Sequence, residues 1–472
     1  MRATQGGATL RLILLSLLIC AASLAGTRVL VTPKAQAAAL PPASAERCAP
    51  PRDRLPSAAD LACRELVAMG ADGPTLPDGF SESTVLGGLE LPTSVRFASD
   101  GRVFVAEKAG IIKVFASLTA TTPTIVADLR DKVMDFYDRG LLSIALDPNF
   151  PATPNLYALY TYDAPIGGAP PGGARCDAPF AATTEGCVVS GRLSRFTLSP
   201  AGVAGPEQVL IESWCQQFPS HSVGDMAFGP DGALYVSVGE GANFNGVDAG
   251  QYGVPDPNPC GDPFDPSIDL KEGGALRAQD ARTSGDPLGY DGAVLRVDPG
   301  NPADRRLVAY GFRNPFRMAQ RPGTSELWVG NVGWNIWETV NRIPDMTGGA
   351  PVNFGWPCYE GPARQPAYEA ANLPICNDLY ADTGAVTPPH FAYQHFQAAV
   401  PGDECRTTDS SITGLAFYTG GNYPAKYQGA LFFGDYARGC IWVMQRGANG
   451  QPDPATVALF AGNAATPVDL LI

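Results

Sequence analysis

The sequence predicts an all-β protein, a β-propeller of four-stranded antiparallel blades, on three observations. From Phe80 onward, short runs rich in Val, Phe, Tyr and Leu alternate with Gly, Pro, Asp and Asn, and no long 3.6-residue period recurs. A turn carrying Asp-Gly and followed by an alternating strand repeats: Phe97-Ala-Ser-Asp-Gly101-Arg-Val-Phe-Val105 is echoed by Phe228-Gly-Pro-Asp-Gly232-Ala-Leu-Tyr-Val236. Looser echoes follow at Arg321 to Val329 and Tyr427 to Gly434, and repeats at such intervals mark propellers or solenoids. Finally, 45% hydrophobic and 17% charged residues in 472 suffice for a substantial core. The length does not force several domains, because β-barrels and propellers run long as one unit.

The elements follow in order. A basic start, the apolar run Leu12 to Gly26 and Ala35-Gln36-Ala37 read as a secretory signal over 1–37, since the run is marginal for crossing a bilayer. Residues 38–79 form a Pro/Ala-rich linker. Within it Ser57-Ala-Ala-Asp60 signals a helix start, so a short N-terminal helix precedes the propeller expected over 80–472. Six blades in about 390 residues take roughly 65 each, against a common repeat of about 40 to 45, so long insertions are expected. The stretch Gly241 to Asp291, with its run of Pro, Asp and Gly, is one of them, a loop on one face. Ten cysteines lie beyond the signal, an even count that favours disulfides in an exported chain. Sequence does not fix their connectivity; pairing neighbours gives Cys48–Cys63, Cys176–Cys187, Cys215–Cys260, Cys358–Cys376 and Cys405–Cys440.

A net charge of −14 offers no basic surface for phosphates, which argues against nucleic acid and against an anionic membrane surface. Small neutral or cationic ligands remain open. There is no Gly-x-Ser-x-Gly elbow, no His-Glu-x-x-His and no Walker loop. Only three histidines exist, His221, His390 and His395. His221, in Ser220-His-Ser-Val-Gly224 just ahead of an Asp-Gly strand, would sit in a strand-entry loop, where a neutral imidazole can take a hydroxyl proton. In Gly311-Phe-Arg-Asn-Pro315, Arg313 offers a fork for a carboxylate or quinone oxygen and Asn314 a further donor. Gly333 and Trp334 follow a strand in a glycine-bearing turn able to aim carbonyls at a hard cation.

Several of these segments together resemble the glucose/sorbosone dehydrogenase family, the soluble sugar dehydrogenases that use pyrroloquinoline quinone (PQQ). The matching pieces run from Leu91-Pro-Thr-Ser through Arg139-Gly-Leu-Leu-Ser-Ile-Ala-Leu-Asp-Pro-Asn-Phe150, His221 to Gly232, Asp291 to Asp298, Gly311 to Pro315, Val352-Asn-Phe-Gly-Trp-Pro357 and Ser411-Ile-Thr-Gly414. The resemblance implies a six-bladed propeller that oxidises an aldose or related small alcohol and passes electrons to an external acceptor. It implies His221 as the base, Arg313 polarising the quinone, Asn314 as a cofactor contact, and Ca2+ on carbonyls at Gly333 and Trp334. Departures from the family pattern are specific. Asp138 stands where a glutamine is expected and joins His221 and Arg313 in the expected catalytic set. Ser220 replaces an aspartate beside the base, and Phe316 a polar contact. Ala437 replaces a cofactor-binding lysine, for which Arg438 is the candidate substitute. The alternative is a non-catalytic secreted propeller, akin to the Hedgehog-interacting protein, that binds a glycan or protein through its loop face. Either reading places the mature protein in the periplasm or outside the cell.

Overall fold

The computed structural model describes residues 74–170, 186–252, 259–262, 264–265, 270–284 and 287–472. The expected signal, most of the linker with its short helix, the Cys48–Cys63 pair and Cys176 lie outside the described residues.

Each blade is an up-and-down sheet of four antiparallel strands, with the first strand in sequence innermost. The first blade comprises Pro92–Phe97, Val103–Glu107, Ile111–Phe115 and Thr124–Asp128. The second comprises Leu141–Leu146, Asn155–Tyr162, Val189–Thr197 and Gln208–Gln216. In the third, Val223–Phe228, Leu234–Val238, Ala293–Asp298 and Asn301–Tyr310 are joined by a parallel bridge to Val352–Asn353. The fourth uses Asn314–Gln320, Leu327–Val332, Trp337–Ile343 and Phe391–Gln394, and the fifth Ile412–Phe417, Leu431–Asp435, Cys440–Met444 and Ala458–Ala461. The Asp-Gly echoes are the turns between first and second strands. Gly101 and Gly232 hold φ of +90° and +74° there, a conformation that favours glycine.

The described propeller has five blades, where six were expected. Six is the number the family resemblance implies; here insertions within two of the described blades take up much of the length. Val238 and Ala293 flank one in the third blade, and Ile343 and Phe391 flank another in the fourth. The insertions pack on each other through Ala242, Leu276, Trp356 and Tyr368. Disulfides pin them: Cys215–Cys260 ties the first insertion to the second blade, and Cys358–Cys376 closes the other on itself. Cys405–Cys440 fastens the approach to the fifth blade. These three pairings agree with the sequence reading.

The core lies between blades rather than at one centre. Phe104, Ile144 and Tyr160 belong to one inter-blade cluster, Leu193, Trp214, Val236 and Leu295 to the next. Second strands such as Val103-Phe104-Val105 are buried on both faces, which explains their unbroken apolar runs. Between the fifth and first blades the segment Pro467 to Asp469 completes the ring. Thr413 Oγ1 donates to the Pro467 carbonyl at 2.6 Å, and Asp469 accepts from the Val95 N–H at 3.1 Å.

Candidate active site

The loops that enter the innermost strands surround a pocket of about 500 Å³ at one mouth of the propeller. His221, Asp138, Arg313, Asn314, Gly333 and Trp334 all line it, so the fold gathers residues spread over nearly two hundred positions. Phe244, Phe316, Trp334 and Tyr436 give it aromatic walls.

His221 is buried and its backbone takes a φ of +53°. For a side chain other than glycine this costs roughly 1–2 kcal/mol, so the surrounding structure must enforce it. It does so through the loop that follows Val238. The Gly241 N–H donates to the His221 carbonyl at 2.9 Å and the Gly239 N–H to the Ser222 carbonyl at 2.7 Å. A β-carbon on Gly239 would lie 2.2 Å from that His221 oxygen, so glycine is required. Between the two glycines, Glu240 sends its carboxyl to His221 Nδ1 in a short hydrogen bond. Nδ1 is thereby occupied and Nε2 is the nitrogen left for the pocket. The His221 N–H donates to Asp138 Oδ2 at 3.3 Å.

Burial and then the nearby Arg313 cation push the His221 imidazolium well below its ordinary range. Burial pushes Glu240 up to about 8, with Arg313 opposing. The pair therefore sheds protons in two steps, as coupled groups do. The first leaves two protons shared between carboxyl and ring; only after the second does Nε2 carry a free lone pair.

Arg313 donates from Nη1 to the Gly333 carbonyl at 2.6 Å, and its backbone carbonyl accepts from the Glu240 N–H at 3.0 Å. Asn331 Oδ1 accepts from the N–H groups of Arg313 and Asn314 at 3.1 and 3.0 Å, fixing both residues at the start of the fourth blade. Asn314 Oδ1 is buried with no hydrogen-bond partner among the described residues. Such an atom in a pocket wall is suited to a ligand donor.

The turn at Gly333 is built around Glu360. Its Oε1 accepts from the N–H groups of Trp334, Asn335, Ile336 and Trp337 at 2.8 to 3.1 Å. A β-carbon on Gly333 would lie 1.7 Å from the Trp337 carbonyl. The carbonyl expected to hold calcium is thus the acceptor of Arg313, and a divalent cation on it would meet a guanidinium. Among the described residues no group of three or more His, Cys, Asp and Glu side chains could hold a metal. Calcium does not fit this arrangement, and no step below depends on it.

Arg438 lies apart from the pocket lining. Its guanidinium donates to the carbonyls of Gln394 and Gln397 at 2.6 and 2.7 Å and to Ser410 Oγ at 2.9 Å, and it is buried. It braces the fifth blade's mouth instead of facing a ligand. The sequence reading missed Glu240 and Glu360. A glutamate between two glycines at a strand end was the available signal for the first; nothing local marked the second.

The molecule is, at this point, a β-propeller whose mouth holds an acid–base pair beside an arginine and an amide. The profile of the Glucose / Sorbosone dehydrogenase family matches residues 89–252, the segment that carries the first two blades, His221 and Glu240. The match, over about a third of the chain, is to the same family that the sequence resembles. Among solved structures, an oxidoreductase described as a glucose dehydrogenase from Thermus thermophilus is 22% identical; the match covers 82% of this chain and 88% of that one with a TM-score of 0.53. The PQQ-bound aldose sugar dehydrogenase of Streptomyces coelicolor is 16% identical, covering 85% and 89%, also with a TM-score of 0.53. At these identities the likeness concerns the fold. Mouse Hedgehog-interacting protein is 27% identical over 169 residues, 33% of this chain. The match spans 22% of that protein, about a fifth of its length.

Proposed function

We propose that this chain is an exported oxidoreductase that takes hydride from an aldose or related small alcohol, using PQQ, with an external electron acceptor. The observation that carries the reading is the His221–Glu240 pair in a pocket whose wall also presents Arg313 and the unpartnered Asn314 Oδ1. Arg313 and Asn314 would hold the cofactor, the first as a cation for its oxygens, the second as an acceptor. Phe316 and Trp334 supply flat apolar surface beside them. When bound, the quinone supplies the hydride acceptor, chemistry that no side chain here provides.

The chain's own residues manage the proton. Glu240, as carboxylate, accepts from Nδ1–H and so leaves Nε2 as the base for the substrate hydroxyl. As C–H hydride departs, the hydroxyl proton moves to Nε2, and Glu240 stabilises the imidazolium that forms. Asp138 holds the His221 backbone and with it the ring's position. The aromatic walls keep water from the reacting carbon. The three described disulfides fit an oxidising, extracytoplasmic compartment. Among the described residues no helix is long and apolar enough to cross a membrane.

The test is to add PQQ to the purified chain and record quinone absorbance, binding heat and dye-linked oxidation across a panel of aldoses. Binding in stoichiometric amounts with oxidation that disappears in His221→Ala is the expected result. A second reading, a partner-binding propeller, is favoured by the match to Hedgehog-interacting protein. It gains if PQQ fails to bind well above micromolar concentration while deletion within Gly241 to Asp291 abolishes capture of a glycan or protein.

A further inference from the structure

The pocket contains a second histidine that the reaction just derived does not use. His395 follows the outer strand of the fourth blade and lines the same cavity. Its N–H donates to the Ile336 carbonyl at 2.9 Å. Its Nε2 lies 2.8 Å from Glu338 Oε1 on the neighbouring strand, and the other Glu338 oxygen accepts from the Ile412 N–H at 3.0 Å. Glu338 is fully buried, so the ring is clamped from behind by a carboxyl that cannot move to solvent. Nδ1 is then the ring nitrogen left for the pocket, and no described residue bonds it. The arrangement repeats the logic of His221 with the two nitrogens exchanged.

The surroundings differ in sign. Around His395 stand Glu338 and Glu360 from the fourth blade and its insertion, and Asp409 from the approach to the fifth. Although burial opposes it, hydrogen bonding to Glu338 and the charges of Glu338, Glu360 and Asp409 raise the imidazole above its ordinary value. Behind Glu338, Asp435 accepts from Tyr393 and from the Arg438 N–H. Burial raises Glu338 to about 7, with His395 opposing. The neighbouring acids therefore favour the protonated ring, the form in which Nδ1 donates. Of these acids Asp409 is the one that lines the pocket, where it repels an anionic ligand from this wall and adds an acceptor for a ligand hydroxyl.

We propose that His395, clamped by Glu338, is a substrate-holding residue whose Nδ1–H donates to a hydroxyl oxygen of a neutral polyol and selects it over sugar acids. The proposal rests on the sugar-oxidising reading above and names the substrate class of that site.

The experiment has two arms. In the first, calorimetry on the whole chain without cofactor uses D-glucose and D-glucuronate as probes at pH 7, and NMR follows the imidazoles. Glucose should bind at least about 10-fold tighter than glucuronate, and His395→Phe should weaken glucose binding by about 10-fold, the loss of one buried hydrogen bond. His395 should titrate above 6.5 in the wild type and lower in Glu338→Gln. In the second arm, with PQQ and dye, His395→Phe should raise KM more than it lowers kcat, which a merely structural role would not produce. Unchanged glucose binding in folded His395→Phe overturns the proposal, as do glucuronate binding as tight as glucose and no sugar binding at all. Should His395→Phe not fold, the wild-type preference and the Glu338→Gln titration decide it. Loss of PQQ-linked oxidation with His395-dependent glucose binding intact removes the dehydrogenase reading and leaves the polyol site standing.

Discussion

Charge is buried at two levels of this propeller, and the two are built differently. Along the innermost strands, Asp225 accepts from Ser143 Oγ at 2.7 Å, from the Met226 and Met318 N–H groups at 2.8 and 3.1 Å, and from Arg96 at 3.1 Å. Arg317 donates to the Thr93 and Leu142 carbonyls, and Arg96 pairs again with Asp469 at 2.7 Å. Every one of these groups joins one blade to another. At the mouth, by contrast, Asn314 Oδ1 is buried without a hydrogen-bond partner among the described residues, and each pocket histidine is held through one ring nitrogen, Nδ1 of His221 and Nε2 of His395, with the other left open. The inner cluster is nearly fully paired, with only Arg317 Nε left without a hydrogen bond, 3.8 Å from Asp469, and serves as cement; the mouth leaves polar capacity unused at a cost in stability, as a ligand-binding mouth would.

Substitutions should separate the two levels. The largest effect is expected for His221→Ala: dye-linked oxidation falls by about 10²–10⁴-fold, the range for a general base, while the melting temperature holds or rises. Next comes Glu240→Gln, which keeps the shape but no longer fixes the base-competent tautomer. Its kcat should fall roughly 10²-fold or more, by the reasoning that applies to the aspartate of a serine-protease triad, with little loss of fold. For Asp225→Ala the order reverses. Removing one partner of a buried pair costs about 3–5 kcal/mol, so denaturant unfolding should show a large loss of stability, with any activity lost following the folded fraction. A stable Asp225→Ala with a specific catalytic defect would erase the distinction between cement and chemistry.

The same distinction explains what was legible in the sequence. Strand alternation and Asp-Gly turns reveal blades because they are local, and His221, Arg313 and Asn314 stand out in short segments. Blade number is not local: a residue in the insertion before Ala293 looks much like one in a blade turn, so the six blades that the resemblance implies went unchecked by the sequence, and five are present among the described residues. Glu240 and His221 meet only because two loops of the third blade fold together, and Glu360 reaches Trp334 to Trp337 across an insertion. Arg438 shows the converse. Its neighbourhood in the sequence suggested a cofactor charge, whereas the carbonyls that saturate it come from residues 394 and 397, more than forty positions away.

The smallest and most discriminating effects are in pH. Because Nε2 is free only after the dyad has lost its second proton, kcat/KM should rise with pH through an apparent value near that of Glu240, about 8, instead of the 6.5 of an isolated histidine. Arg313 opposes the upward push on Glu240, so Arg313→Ala should move this limb to higher pH as well as weaken cofactor binding. Stability runs the other way. Glu240 and Asp291 are both raised by burial to about 8 from 4.5 and 3.8, so the folded state binds more protons than the unfolded chain across that interval. Their contribution is whole below about pH 4 and is lost as pH climbs through 8. His221, lowered in the fold, acts in the opposite sense only below 6.5. The cofactor-free chain should therefore melt at lower temperature at pH 8.5 than at pH 6.5, and Asp291→Asn should shrink that difference while moving the kinetic limb less than Arg313→Ala does, since Glu240 is the weakest of the charges that raise Asp291. A pH limb that moved as far with Asp291 as with Arg313 would mean that mouth and scaffold titrate as one network, and that the boundary drawn between them is in the wrong place.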